Sequence, residues 1–187
     1  MDDTTTIGDR YLQAHQALTE VLDAVDAAAW DQPSPCDGWS ARDVVGHLIE
    51  TQRSFLVDRG VLDAATPAPD AERDPADAWR AHVEVVRPVV SDAELMATEY
   101  DGYFGPTTVG DSLGQFYVFD MIVHRWDVAT ATGVGTSFDE KELDGIEAGA
   151  ASWGDALYME GICAPAVEVA PGADRTDRVL AMLGRRA

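Results

Sequence analysis

Apolar residues recur at steps of three and four along most of this chain, and that periodicity leaves few folds open to it. Residues 7–29 place Ile7, Tyr11, Ala14, Leu18, Leu22, Val25 and Ala29 on one stripe, the pattern of a helix with one buried face. The segment "DQPSPCDG" breaks it with two prolines and a glycine. Ser40, followed three residues later by Asp43, has the form of a capping box with Asp in place of Glu. Trp39 and Val44 flank it as a hydrophobic staple would. A second helix is therefore predicted from Ser40 to about Arg59–Gly60, carrying Val44, His47, Leu48 and Phe55.

After the Ala-, Pro- and Asp-rich loop "VLDAATPAPDAERD", Asp74–Pro75 reads as an N-cap with proline at the first helical position. It opens a third helix with Trp79, Val83, Val86 and Val90 on one side. Residues 98–108, "TEYDGYFGPTT", read as an ordered loop or short hairpin. A fourth helix over about 109–131 aligns Leu113, Phe116, Asp120, His124 and Val128 and ends at Gly133. A fifth covers about 139–159, and an extended piece, "PAVEVAP", precedes a last helix near 174–183. With no series of strands, the expected fold is all-α: an up-and-down four-helix bundle with short additional helices and an ordered loop, in one domain over 1–187.

Charge narrows the partners. Thirty-four acids against 13 Lys and Arg leave a formal net charge of −21. A nucleic acid or an anionic membrane surface would repel such a chain, so neither is expected as a partner. No apolar run reaches the roughly eighteen residues of a membrane span. The N-terminus "MDDTTTIGDR" lacks the basic and apolar regions of a signal peptide. Cys36 and Cys163 show no CxxC spacing, which fits reduced thiols and a cytoplasmic location. A homodimer is compatible with all of this.

The stretch "FDMIVHRWDVATATG", residues 119–133, sets an acid and a histidine among Met, Ile, Val and Trp. Burying either group unpaired is costly. Asp120 and His124 are four residues apart, so a helix places them one turn apart on one face, where two side chains can chelate one metal. His47 has a matching setting in "DVVGHLIE". Two histidines and one carboxylate make a three-ligand site for a divalent metal with an open position. The residues alone leave the alternatives of an intrahelical ion pair, a pair that only orients another group, and satisfied core histidines.

The blocks "PSPCDGWSARDVVGHL", "DMIVHRWDVATATG" and "TDRVLAMLGRR" resemble, in order, the DinB/YfiT-like superfamily. Within it the likeness is to the actinobacterial branch related to mycothiol-dependent maleylpyruvate isomerase, in its N-terminal metal-binding domain. That resemblance implies a four-helix bundle holding zinc, or else nickel, through His47, Asp120 and His124. The isomerase has Glu where this chain has the shorter Asp120. It also implies a low-molecular-weight thiol, mycothiol or bacillithiol, as co-substrate.

Charge arithmetic agrees: a divalent ion with one carboxylate and two neutral imidazoles keeps a charge of +1. It would therefore bind a thiol as thiolate, a nucleophile towards a small electrophile. The expected activity is thiol transfer to, or thiol-assisted isomerisation of, such an electrophile. Hydrolysis through an activated water is the competing use of the site. A non-catalytic metal-binding or interaction protein, or a metal-free helical adaptor, are the non-enzymatic alternatives.

Other residues carry weaker expectations. Cys36 is expected to pack under Trp39, His15 to be a structural histidine, and His82 to be partly exposed. Cys163 gives no chemical signal, and Trp126 is expected to pack. Asp127 is placed to accept a hydrogen bond from a ligand imidazole or from helix two, with a surface acid as the plain alternative. Arg125 would pair with that acid or meet an anionic substrate. Tyr100, Tyr103 and Phe104 would rim a pocket.

Overall fold

The computed structural model describes residues 6–186. Helix makes up 59% of it, with a single two-stranded sheet, so the fold is all-α as the periodicity requires. Helix α1 spans Ile7–Asp23, α2 Ala41–Asp58 and α3 Pro75–Ser91. A one-turn helix, α4 (Ala93–Met96), leads into a hairpin of β1 (Glu99–Gly102) and β2 (Gly105–Thr108). The hairpin pairs antiparallel, with Tyr100 opposite Thr107. Helix α5 (Val109–Ser112) runs through a π turn at Leu113–Tyr117 into α6 (Val118–Thr132). Helix α7 spans Glu140–Trp153, a 3-10 turn follows at Gly154–Tyr158, and α8 spans Arg175–Met182.

Local chemistry sets the ends of these helices. At the start of α2 the Ser40 amide donates to Asp43 Oδ2 at 2.8 Å and the Asp43 amide donates back to Ser40 Oγ at 3.3 Å. This is the expected capping box, built with Asp. Asp74 caps α3 through the Asp77 amide at 3.0 Å. Gly133, at φ 74, stops α6 in the left-handed region where a side chain would be strained.

Two boundaries differ from the sequence reading. Helix α1 stops at Asp23 instead of continuing to Ala29, because Asp26 takes the Ala28 amide on its side chain and the Ala29 amide on its carbonyl. The fifth helix loses α geometry at Gly154, whose φ is 53 and ψ is −129. The "PAVEVAP" piece forms no strand, although the Val167 amide donates to the Ala181 carbonyl at 2.9 Å.

Helices α1, α2, α3 and α6 pack together, α1 and α2 each against both α3 and α6. Tyr11, Leu18, Leu48, Leu56, Trp79, Val83 and Met121 meet in their core. Each large apolar side chain buried there contributes about 1.5–3 kcal/mol. The opposite face of α6, with Phe119 and Val123, packs into a second cluster with Leu143, Ile146 and Trp153 of α7 and Leu180 of α8. Helix α6 is thus apolar on two sides, and polar residues on it lie close to one core or the other.

Candidate metal centre

Helix α2 and helix α6 bring His47 and His124 face to edge, with ring centroids 5.4 Å apart and planes at 79°. Trp39, in the loop before α2, covers both: its ring lies 4.7 Å from His47 and 6.3 Å from His124. That loop reverses tightly, with Pro33 bridged to Ser40 and the Trp39 amide donating to the Cys36 carbonyl at 3.0 Å. Asp120 stands one turn before His124 on α6 and is partly buried. The structure therefore brings His47 and His124 together, with Asp120 on the same face as His124.

His124 is held from behind. Its Nδ1 lies 2.8 Å from Asp127 Oδ2, the hydrogen bond anticipated for Asp127, which leaves Nε2 as the nitrogen for a metal. Asp127 is fully buried and is itself gripped by Arg185, whose Nε and Nη2 donate to its two oxygens at 2.8 and 2.7 Å. Arg185 follows a Schellman turn: the Gly184 amide donates to the Ala181 carbonyl and the Arg185 amide to the Leu180 carbonyl. Gly184 has φ 79, and a Cβ there would lie 2.8 Å from the Ala164 carbonyl oxygen.

Cys36 joins this network instead of only packing under Trp39. Its Sγ is 3.3 Å from Asp127 Oδ2, 3.6 Å from Arg185 Nη2 and 3.9 Å from His124 Nδ1. Cys36, His124 and Asp127 thus bring three ligand-type atoms within 4.8 Å of one another, and His47 and Asp120 lie outside that group. A cation among those three would press against the Arg185 guanidinium. Asp127 is already paired with Arg185, whereas Asp120 makes no hydrogen bond or ion pair among the described residues.

Ionisation follows from these neighbours. Burial lifts the Asp120 carboxyl above its ordinary value, against the pull of His124 and Arg185; charges and desolvation, not hydrogen bonds, set it. Burial also depresses His47, with help from the like charge of His124, to about 4. For His124 burial works downward too, but the Asp127 hydrogen bond, the Cys36 contact and the charges of Asp127 and Asp120 carry it up to about 10. Asp127 stays far below the usual carboxylate range, because His124 and Arg185 outweigh its burial. Without a metal, a proton on His124 is the positive charge between the two acids. Two imidazoles and a carboxylate are donor types a divalent cation takes, but His47, Asp120 and His124 do not converge as Cys36, His124 and Asp127 do.

Comparison with known proteins bears on the same residues. The profile of the mycothiol maleylpyruvate isomerase N-terminal domain matches residues 11–129. The chain belongs to that family. No curated protein and no solved structure matches it. The mycothiol maleylpyruvate isomerase N-terminal domain match takes in Cys36, Trp39, His47, Asp120, His124 and Asp127. Arg185 lies beyond it. The family supports a mycothiol-related, metal-binding helical domain for this chain.

The remaining expectations sort plainly. His15 is structural: it is buried, with Nδ1 3.1 Å from Thr19 Oγ1. His82 is not partly exposed; it is 1% exposed, with Nε2 3.1 Å from Gln52 Oε1. Trp126 packs against the second cluster. Arg125 pairs with Glu142, at 2.7 and 2.8 Å, and not with Asp127. Tyr100 faces Phe55 of α2, whereas exposed Tyr103 and Phe104 turn towards Met159 and Phe116. No described helix is long and apolar enough to cross a membrane.

Sequence reasoning missed Arg185 as a partner of the site. The signal was the glycine of "LGRR" after the last helix, which marks a chain reversal but not its target.

Proposed function

We propose that this protein binds a divalent metal, zinc first and nickel second, through His47, Asp120 and His124. In this reading it uses mycothiol or bacillithiol as co-substrate for transfer to, or isomerisation of, a small electrophile. The observation that carries the reading is His124, tied by Nδ1 to Asp127 while its ring meets His47 edge-on at 5.4 Å. A divalent ion there would favour an anionic fourth ligand and take up a thiol as thiolate.

The chain's own residues have separable tasks. Asp127, fixed by Arg185, orients the His124 imidazole and sets its tautomer. Trp39 packs on His47 and shields it from water. Asp120 supplies the single negative charge that leaves the site a net +1 with a divalent ion. No protein nucleophile is needed, since the thiol provides it. A non-catalytic metal-binding protein is the alternative, with the same ligands and no turnover.

A second metal reading uses Cys36, His124 and Asp127, because those atoms already converge. Metal analysis of untagged protein separates the two. Loss of metal in His47→Ala, Asp120→Ala and His124→Ala, with retention in Cys36→Ser, is expected. Retention in His47→Ala with loss in Cys36→Ser would move the metal to the second group. Conjugation of an electrophile by the metal-loaded protein with mycothiol or bacillithiol then divides enzyme from binder; absence of turnover favours the binder.

A further inference from the structure

Helix α2 does not end its functional face at His47. Thr51, Phe55 and Arg59 follow it at steps of four, on one ridge that ends about 18 Å along the axis. Helix α6 and its π turn run antiparallel to that ridge. Tyr117 lies beside Thr51 and Phe55, with its hydroxyl donating to the Thr51 carbonyl at 3.5 Å and its ring 5.1 Å from Phe55. The π turn at Leu113–Tyr117 sits at that contact, and such turns recur at functional sites. Tyr100 of the hairpin closes the far end, its ring 5.8 Å from Phe55 and its hydroxyl bonded to Ser112.

Arg59 stands at that same end, at the surface. Its guanidinium lies 4.2 Å from the Tyr100 ring centre and 5.7 Å from that of Phe55. Among the described residues it pairs with no carboxylate, in a chain with 34 acids. Three half-buried aromatic side chains and an exposed guanidinium therefore continue the face of α2 and α6 that carries His47 and His124.

We propose that this strip of Phe55, Tyr117, Tyr100 and Arg59 is the subsite for the hydroxyl-rich ring end of the thiol co-substrate. The proposal rests on the thiol-dependent reading above and adds where the rest of the thiol lies. Length argues for it: an electrophile of six bonded carbons spans only about 6 Å and cannot reach from His47 to Arg59. A cysteinyl unit extended by saturated rings can. The C–H faces of such rings lie flat on the aromatic side chains, and their hydroxyl oxygens accept from the five N–H groups of Arg59.

The test uses the full chain loaded with cobalt(II), whose thiolate absorption reports sulfur at the metal. Mycothiol and N-acetylcysteine, which carries the same sulfur unit without the rings, are titrated in turn. Mycothiol is expected to bind at least tenfold more tightly to the wild type. Arg59→Gln, at an exposed position, and Tyr100→Ala should each narrow that gap to about twofold by weakening mycothiol alone. Equal affinities in the wild type, or equal weakening of both thiols in the variants, would overturn the subsite. If neither thiol produces the absorption, the thiol-dependent reading itself fails, and the subsite with it.

Discussion

Arg185 closes on both carboxylate oxygens of Asp127, at 2.8 and 2.7 Å, and so ties the turn after α8 to the back of His124. Both partners are buried. Removing Arg185 leaves the buried Asp127 with His124 as its one charged partner among the described residues, and breaking such a pair costs up to about 3–5 kcal/mol. Arg185→Gln is expected to lose that much in urea unfolding and to weaken metal binding by about 10–100-fold in chelator competition. The double variant with Asp127→Asn should regain part of the stability but not the metal affinity. Full metal affinity in Arg185→Gln would show that His124 is oriented by something else.

Gly184 supports that pair from the backbone. Alanine there must hold φ 79 and accept a Cβ 2.8 Å from the Ala164 carbonyl oxygen. The conformation alone costs about 1–2 kcal/mol. Gly184→Ala should lower the melting temperature and weaken metal binding together, since Arg185 is displaced with the turn. Melting curves and chelator competition on the same sample check whether the two effects travel together.

The buried histidines make the bundle sensitive to acid. Burial is the main cause that holds His82 at about 4, with Arg53 and His15 adding to it, against 6.5 for the free side chain. The folded value is the lower one, so the unfolded chain binds the proton first. Stability is therefore fully present above about pH 6.5 and falls as the pH drops towards 4. At pH 5 His82 should cost about 2 kcal/mol. His15, also lowered to about 4, adds to the same trend. Urea unfolding at pH 7 and pH 5 measures the difference, and His82→Gln should shrink it.

Metal removal offers an independent check. A ligand present at a hundred times its dissociation constant stabilises the native state by about 2.7 kcal/mol. A strong chelator should lower the unfolding midpoint of the wild type by that order and leave Asp120→Ala unchanged. An equal shift in both would separate the stabilising metal from Asp120.

Much of this architecture was legible because it is local. Ser40 and Asp43 announce the start of α2, and Gly133 announces the end of α6, through groups within a few residues of each boundary. The Asp120–His124 spacing is likewise a property of one helix. The role of Arg185 was not legible, because 58 residues separate it from Asp127 and only the packing of α8 brings them together. The polar contacts of Cys36 were hidden for the same reason: they come from α6 and the C-terminal turn, while the residue also packs against the core as expected. His82 looked partly exposed because its partner Gln52 lies on another helix. The overrun of helix one at Val25 and Ala29 shows the reverse error, a continuing apolar stripe overruled by the Asp26 turn.

Helix α6 has two apolar faces, and its second face is covered by α7 and α8. A fragment cut at Ala129, where the family match ends, would bare Phe119 and Val123 to water and remove the cation that neutralises Asp127. His47, Asp120 and His124 would all remain, yet the scaffold that aims them would be gone. The fold that holds His124 in place therefore extends past the family domain, into α7, α8 and the turn that carries Arg185.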